Sequence, residues 1–84
     1  STAQGQALSP QRHIGRAIRR YRKLRGWTQP DLAQRVGCNV QTVCQWERGN
    51  RRMAFLDVCK LALVLDVPVA AFVPQSMRSV ADSV

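Results

Sequence analysis

Three polar side chains recur on one side of a short segment near the middle of the chain. Gln41, Gln45 and Arg48 follow one another at spacings of four and three residues, which places them on one face of a helix. A glutamine amide can hydrogen-bond an adenine edge through both polar atoms, and an arginine fork can bond O6 and N7 of guanine. This face therefore carries the groups needed to read the major groove of double-stranded DNA. For these residues alone, the solvated side of an ordinary amphipathic helix is the alternative.

Capping residues define this helix and the one before it. Asn39 is a favoured N-cap and Gly49 a favoured left-handed C-terminal residue, so the segment between them is predicted to be helical. Thr28 followed by Asp31 is typical of a capping box, which predicts the start of a preceding helix that ends at Gly37. Two capped helices joined by so short a link indicate a helix-turn-helix unit.

Apolar periodicity predicts the remaining elements. A first helix over residues 13–25 has an apolar face of Ile14, Ile18, Tyr21 and Leu24. A fourth helix over residues 54–65 has a face of Phe55, Val58, Leu61, Ala62 and Leu65. After a break at residues 66–68, a brief fifth helix extends to Phe72 and is ended by Pro74. Because strand signals are absent, the predicted fold is all-α, a compact domain of five helices.

Length and composition limit the organisation of the chain. A length of 84 residues suits one domain, predicted over residues 12–73, with a polar N-terminal tail over 1–11 and a C-terminal tail over 74–84. Since no long apolar run or signal-like segment occurs, we expect a cytoplasmic protein. Cys38, Cys44 and Cys59 form no CxxC pair and lie far from the single His13, so neither a metal site nor a disulfide framework is expected.

The balance of charge indicates the class of partner. Thirteen Lys and Arg against five Asp and Glu give a formal net charge of +8, which attracts polyanions and makes nucleic acid the leading partner. The sequence lacks the residue groups typical of an enzyme active site, because there is one histidine, no paired carboxylates at helical spacing and no glycine-rich phosphate loop. No cofactor is therefore expected. Residues 15–27 are basic and amphipathic, as membrane-surface helices are, but their apolar face is expected to pack inside the domain.

The segments IGRAIRRYRKLRGWTQPDLA, VGCNVQTVCQWERG and KLALVLDV together resemble the lambda-repressor-like helix-turn-helix domains, also called Cro/C1-type or XRE, of bacterial and phage regulators. The resemblance covers residues 14–73, and its motifs are specific because they occur in order and at the family's spacing. It implies a five-helix lambda-repressor-like domain that binds double-stranded DNA and regulates transcription.

The resemblance also implies roles for particular residues. Matches to base-contacting positions are Val40, Gln41, Cys44 and Gln45. Backbone contacts are expected from Thr28, Gln29, Asn39, Thr42, Arg48, Asn50, Arg51 and Arg52. The sequence departs from the family at Val40, which can touch a thymine methyl but cannot hydrogen-bond, and at Cys44, which replaces a more usual polar residue. The target sequence of a relative therefore does not transfer to this chain.

Further matches concern the scaffold. Arg22 and Glu47 correspond to an ion pair between the first and third helices, although for Arg22 a surface phosphate contact is the competing interpretation. The family's core positions are taken by Trp27, Leu32, Ala33, Val36, Val43 and Trp46. Both tryptophans are therefore expected to pack in the core and not to stack on bases.

The expected function is that of a transcriptional repressor that binds a palindromic operator as a homodimer, because one recognition helix reads only a few base pairs. Residues near the C-terminal end are candidates for the dimer contact, with core packing an equal possibility for each: Val67, Val69, Phe72 and Val73. An antitoxin-type or other protein-interaction module that also binds DNA is the alternative, since the same fold serves both roles.

Overall fold

The computed structural model describes residues 10–73, and these form four α-helices and one short 3₁₀ helix. In chain order they are α1 (Pro10–Leu24), α2 (Gln29–Val36), α3 (Val40–Arg48), α4 (Phe55–Leu65) and the 3₁₀ helix (Val69–Phe72). Residues 10–73 contain no strand, which agrees with the expected all-α class. Residues 1–9 of the N-terminal tail predicted over 1–11, and all of the C-terminal tail predicted over 74–84, lie outside the described residues.

The prediction of a fifth α-helix was wrong. The segment after Pro68 is too short for a ladder of α-helical hydrogen bonds, and its amides bond three residues back instead. The amide of Ala71 donates to the carbonyl of Pro68 over 2.9 Å, and that of Val73 donates to Ala70 over 3.1 Å. The first helix also differs from its predicted bounds, because it already includes Pro10 and Gln11. Gln11 is polar, and Pro10 was assigned to the N-terminal tail although proline is favoured in the first turn of a helix, so the predicted start was too late.

Two helix N-termini are held by the predicted caps. The amide of Asp31 donates to Thr28 Oγ1 over 3.2 Å, and the amide of Thr28 donates to Asp31 Oδ2 over 2.9 Å. At α3, the amide of Thr42 donates to Asn39 Oδ1 over 2.8 Å. Gly37 ends α2 with φ of 90°, a left-handed conformation that a residue with Cβ adopts at a cost. The caps and this turn fix where α3 starts relative to α2.

The core lies between α1, α2, α3, α4 and the 3₁₀ helix. Its largest fully buried side chains are Ile18, Leu32, Val43, Leu61, Leu65 and Phe72. Trp46 is buried as expected, and Trp27 packs against the core while the guanidinium of Arg35 lies 4.2 Å from its ring centroid. Phe72 is 1% exposed, and Val67 and Val69 pack against the core, so these three candidates for a dimer contact serve internal packing here.

Two residues of the predicted apolar faces are exposed. Leu24 and Phe55 are 73% and 71% exposed, although each has the helical spacing of a core residue. Leu24 occupies the last position of α1 and Phe55 the first position of α4, where the helix reaches past the edge of the packed layer. Periodicity gives the direction of a side chain but not whether another element covers it at that height.

Candidate nucleic-acid interface

Helix α3 has one buried face and one exposed face. Val43 and Trp46 are buried against the rest of the domain. The opposite side presents Gln41, Gln45 and Arg48 to solvent, as the sequence predicts. Beside them lie Val40, which is 40% exposed, and Cys44, which is half-buried. The structure thus brings the four expected base-contacting side chains together on one side of a single helix.

Helix α1 supports α3 from behind at very short range. Gly15 is buried, and a Cβ built there would lie 2.8 Å from the carbonyl oxygen of Glu47 and closer still to that of Trp46. Real Cβ atoms do not approach backbone atoms so closely, so this position has room for glycine alone. The absence of a side chain lets the two helices approach, which fixes the height of α3 above the domain.

The second tie between these helices is an ion pair beneath α3. Arg22 donates from Nε to Glu47 Oε2 over 2.6 Å and from Nη2 to Oε1 over 3.1 Å. Its Nη1 donates to the carbonyl of Trp27 over 2.9 Å. Arg22 is only 8% exposed, and all three of its guanidinium nitrogens donate to protein acceptors, which favours the structural ion pair over a surface phosphate contact. The bidentate geometry sets the rotation of α3 about its axis.

Gln29 is part of the same network. Its side-chain Nε2 donates to Glu47 Oε1 over 3.1 Å, so the amide group links the start of α2 to the underside of α3. The family resemblance implies a phosphate contact for Gln29 through its side chain or its backbone amide. With one side-chain donor bonded to Glu47, the backbone amide of Gln29, which lies in the first turn of α2 and has no acceptor within the helix, is the group that suits an anion at this positive helix end.

Arg19 is a further residue of this surface that the sequence analysis did not single out. A depression of about 280 Å³ beside α3 is lined by Arg19, Arg22, Gln29, Cys44, Glu47 and Arg48. Arg19 is exposed, follows Gly15 by four residues and precedes Arg22 by three, so it lies on the side of α1 that faces α3. Arg22 was expected to pair with Glu47 of α3, and Arg19 precedes Arg22 by one helical turn. This spacing was the signal that could have identified Arg19.

The capping residues differ in the hydrogen-bonding capacity they retain. The hydroxyl of Thr28 accepts the amide of Asp31, and it also hydrogen-bonds the Asp31 carboxylate, so both of its functions are used within the cap. The hydroxyl of Thr42 donates to Asn39 Oδ1 over 2.8 Å, so that proton is also occupied. The side-chain nitrogen of Asn39 keeps its donors. Asn39 thus suits the expected backbone contacts better than the side chains of Thr28 and Thr42 do.

The loop after α3 extends the exposed polar surface. Asn50, Arg51 and Arg52 are all exposed, and Arg51 Nη1 donates to Gln45 Oε1 over 3.4 Å. This long hydrogen bond on the surface constrains Gln45 only weakly. The loop brings two cations beside the C-terminal end of α3, next to Arg48.

Other cations are used inside the domain. Arg25 donates from Nη2 to the carbonyl of Leu65 over 2.7 Å and from Nε to the same oxygen over 3.1 Å. This satisfies a carbonyl at the C-terminal end of α4 that has no partner within the helix. Arg35 stacks on Trp27. Arg19 and Arg48 line the depression beside α3, and Arg51 and Arg52 are exposed in the loop that follows it; we call these four residues the α3 arginines.

Two side chains have shifted acidities, each with a local cause. The hydrogen bonds from the Thr28 backbone and side chain lower the pKa of Asp31, which keeps its carboxylate charged at the positive end of α2. Burial raises the pKa of the Cys38 thiol, with a smaller contribution from Asp57. Cys38 lies in the turn between α2 and α3 and packs against the core. Its thiol therefore behaves as a small apolar group.

Two kinds of feature are absent from residues 10–73. No helix of this part of the chain is long and apolar enough to cross a membrane. Within the same residues, no three His, Cys, Asp or Glu side chains are grouped so that they could hold a metal ion.

Comparison with known sequences gives a family match that includes α3 and the helices around it. A sequence model of the family described as Helix-turn-helix, HTH_3, matches residues 18–72. The match includes all of α2, α3 and α4 and ends in the 3₁₀ helix. It therefore contains the whole exposed face of α3 and most of the scaffold beneath it.

Two curated proteins illustrate the sequence similarity. The Bacillus subtilis (strain 168) protein named Uncharacterized HTH-type transcriptional regulator YazB is 37% identical over 60 residues, which are 71% of this chain and 87% of that protein. An Uncharacterized HTH-type transcriptional regulator of Sinorhizobium medicae (strain WSM419) is 30% identical over 60 residues, 71% of this chain and 43% of that protein. The match spans most of the first protein and less than half of the second.

Solved structures show the same arrangement of helices. The restriction-modification controller protein C.AhdI from Aeromonas hydrophila superposes with a TM-score of 0.70 at 29% identity, over 74% of this chain and 94% of that chain. The clp gene regulator ClgR from C. glutamicum superposes with a TM-score of 0.75 at 21% identity, over 92% and 95% of the two chains. The second similarity concerns the fold alone.

Proposed function

The chain belongs to the Helix-turn-helix family, HTH_3, and from this premise we propose that it regulates transcription by binding double-stranded DNA sequence-specifically through α3. The observation that carries the proposal is the exposed face of Gln41, Gln45 and Arg48 on a helix supported from behind. A helix has the width of the major groove, and amide and guanidinium groups match the edges of adenine and guanine.

Each base-contacting residue has a chemical task in this proposal. Gln41 and Gln45 read adenine through paired hydrogen bonds, and the Val40 side chain contacts a thymine methyl group. Cys44, half-buried at the rim of the depression, limits how close a base edge can come to the middle of the helix. The Glu47 network holds α3 from below, so the reading side chains start from one defined backbone position.

Phosphate contacts provide affinity and orientation. The exposed α3 arginines can neutralise phosphates on either side of the groove, and the start of α2 offers the Gln29 amide to another phosphate. The formal net charge of +8 adds long-range attraction to the duplex. These contacts carry little sequence information, so they set how tightly and in which register the protein binds.

We further propose that the protein acts as a homodimer on a palindromic operator and represses transcription by occupying a promoter. One α3 helix reads only a few base pairs, which is too short a site to be distinctive. Two copies related by a two-fold axis read two half-sites about one helical turn apart. Occupation of a promoter is the simplest mechanism of repression for a domain that is proposed to bind DNA.

The test is selection of bound sequences from a pool of random double-stranded DNA, followed by sequencing, for the wild type and Gln45→Ala. Gln34→Ala is the matched control, because Gln34 is also an exposed helical glutamine but lies on α2 away from the exposed face of α3. The wild type and the control should select the same inverted repeat. Gln45→Ala should lose discrimination at one position in each half-site, by about 1–3 kcal/mol for a bidentate contact.

Two results would count against the proposal. Retention of DNA without any consensus, lost steeply as salt increases, would indicate a non-specific basic protein and favour the protein-interaction module instead. The repressor role is tested separately with purified RNA polymerase and a promoter that overlaps the selected sequence. Addition of the protein should reduce transcript yield, and an increase would exclude repression at that promoter.

A further inference from the structure

Helix α4 presents large apolar side chains to solvent, both at its N-terminal end and on the side turned away from Leu61 and Leu65. Phe55, Leu56 and Leu63 are 71%, 71% and 82% exposed, and the half-buried Cys59 lies between them on the helix surface. Phe55, Cys59 and Leu63 follow at spacings of four, and Leu56 precedes Leu63 by two turns, so all four share one face. We call these four residues the α4 face.

Such a face is unusual on a small globular domain. Scattered apolar residues on a surface are ordinary, but several large ones side by side on one helix mark a surface that another molecule covers. Leu61 and Leu65 of the same helix are fully buried, so the apolar residues of α4 exceed what the core of the domain requires. We therefore expect another molecule to cover the α4 face.

Charge decides which occupant suits this face. Within α4 only Asp57 and Lys60 are charged, and they balance, whereas α1 carries six cations. Two copies of a chain with net charge +8 repel each other at long range, so a neutral and apolar contact surface opposes their association least. An acidic partner would be drawn to α1 instead. The α4 face is thus the surface on which a second copy of this chain fits.

We propose that α4 packs against α4 of a second copy about a two-fold axis that passes near Cys59. This inference rests on the proposed homodimer and gives it a defined surface. A two-fold interface is self-complementary, so a residue on the axis meets its own counterpart. Cys59 meets Cys59 of the partner, while Phe55 of each copy lies near Leu63 of the other. The surface replaces residues 67–73 as the dimer contact, since Phe72 is 1% exposed and belongs to the core.

The first test uses the cysteine at the centre of the face. Two cysteines can form a disulfide only when their Cα atoms lie within about 7 Å, so covalent pairing reports on the axis position. The full chain is treated with diamide and run on a non-reducing gel. The wild type and a Cys38→Ser/Cys44→Ser variant should give a covalent dimer, and Cys59→Ser should not. A dimer that persists in Cys59→Ser and is lost in the double variant would overturn the proposed axis.

The second test measures association without covalent chemistry. Leu63→Asp places a charge on the α4 face, and Leu24→Asp is its matched control, because Leu24 is 73% exposed but lies on α1. Both substitutions change the net charge equally. In analytical ultracentrifugation the wild type and Leu24→Asp should sediment as dimers, and Leu63→Asp as a monomer with an unchanged helical circular dichroism spectrum. A Leu63→Asp dimer as stable as the wild type, or a wild type that stays monomeric on DNA, would refute the inference.

Binding to DNA separates this inference from the proposed function. Leu63→Asp should bind a palindromic site at least tenfold more weakly than the wild type, yet bind an isolated half-site equally well. If no variant and no wild-type protein binds any DNA selectively, the proposed function fails whatever sedimentation shows. If the wild type binds selectively while Leu63→Asp keeps full affinity for the palindrome, the function stands and the α4 face is not the interface.

Discussion

The Nε atom of Arg22 lies 2.6 Å from Oε2 of Glu47, and this single pair joins the middle of α1 to the underside of α3. Both side chains are largely buried, and the carboxylate also accepts a hydrogen bond from Gln29. The pair therefore connects three helices at the point where the exposed face of α3 is supported. Removal of one partner leaves an unpaired charge in a site with little access to water.

Glu47→Gln should destabilise the domain strongly. The substitution keeps the shape of the side chain but removes the charge that compensates the Arg22 guanidinium, so we expect a loss of about 3 kcal/mol in the free energy of unfolding. Urea denaturation followed by circular dichroism measures it. Arg22→Met/Glu47→Leu, which removes both charges, should recover part of the loss. A Glu47→Gln protein within about 0.5 kcal/mol of the wild type, the range of a neutral surface change, would contradict a structural role for the pair.

Gly15→Ala should also lower the free energy of unfolding, although replacement of glycine by alanine within a helix usually raises it. Helix propensity alone predicts a gain of about 0.5–1 kcal/mol. A Cβ at residue 15 would lie within 2.8 Å of the Glu47 carbonyl oxygen, so we expect overpacking to cost about 1–3 kcal/mol instead. The control compares Arg20→Ala with Arg20→Gly at an exposed position of the same helix. If alanine is favoured over glycine at both positions by the same amount, α1 and α3 are farther apart than described.

Arg19→Gln should weaken DNA binding without any change in the preferred sequence. Arg19 lines the depression beside α3, so we expect loss of one phosphate contact, which lowers the slope of log affinity against log salt by about 0.9. Arg20→Gln is the control, because Arg20 lines a different groove, between α1 and the 3₁₀ helix, with Pro68 and Ala71. Salt titrations by fluorescence anisotropy distinguish the two. Equal slopes for Arg19→Gln and the wild type would remove Arg19 from the interface.

Local signals in the sequence predicted much of this arrangement. Thr28, Asp31 and Asn39 make the cap hydrogen bonds that their residue types suggest, because capping depends only on neighbours along the chain. The exposed side of α3 followed from helical spacing for the same reason. Leu24 and Phe55 belong to the predicted apolar faces but are exposed, because periodicity does not say how far the packed layer reaches along a helix.

Long-range contacts were harder to predict from the chain. The bond from Gln29 to Glu47 spans 18 residues, and no pattern of residue types announces it. The same holds for the bond from Arg25 to the carbonyl of Leu65, which joins the ends of α1 and α4. The brief helix near Phe72 was located correctly but assigned the wrong type, because hydrogen-bond spacing in so short a segment depends on the packing around it.

The charge of Asp31 should make stability depend on pH in the acid range. Hydrogen bonds from Thr28 lower the pKa of Asp31 in the folded state below the ordinary value of 3.8, so the folded state favours the carboxylate. Its contribution is therefore fully present above the unfolded-state pKa and is lost as pH falls through the lower, folded-state pKa. The difference in unfolding free energy between the wild type and Asp31→Asn should be constant from pH 7 to about 5 and shrink below about pH 4.

Urea denaturation across this pH series measures the difference, and repetition in 0.5 M sodium chloride identifies its cause. Because hydrogen bonds to Thr28 outweigh the coulombic effect of Arg35, most of the difference should remain in salt, whereas its disappearance would indicate long-range charge as the cause.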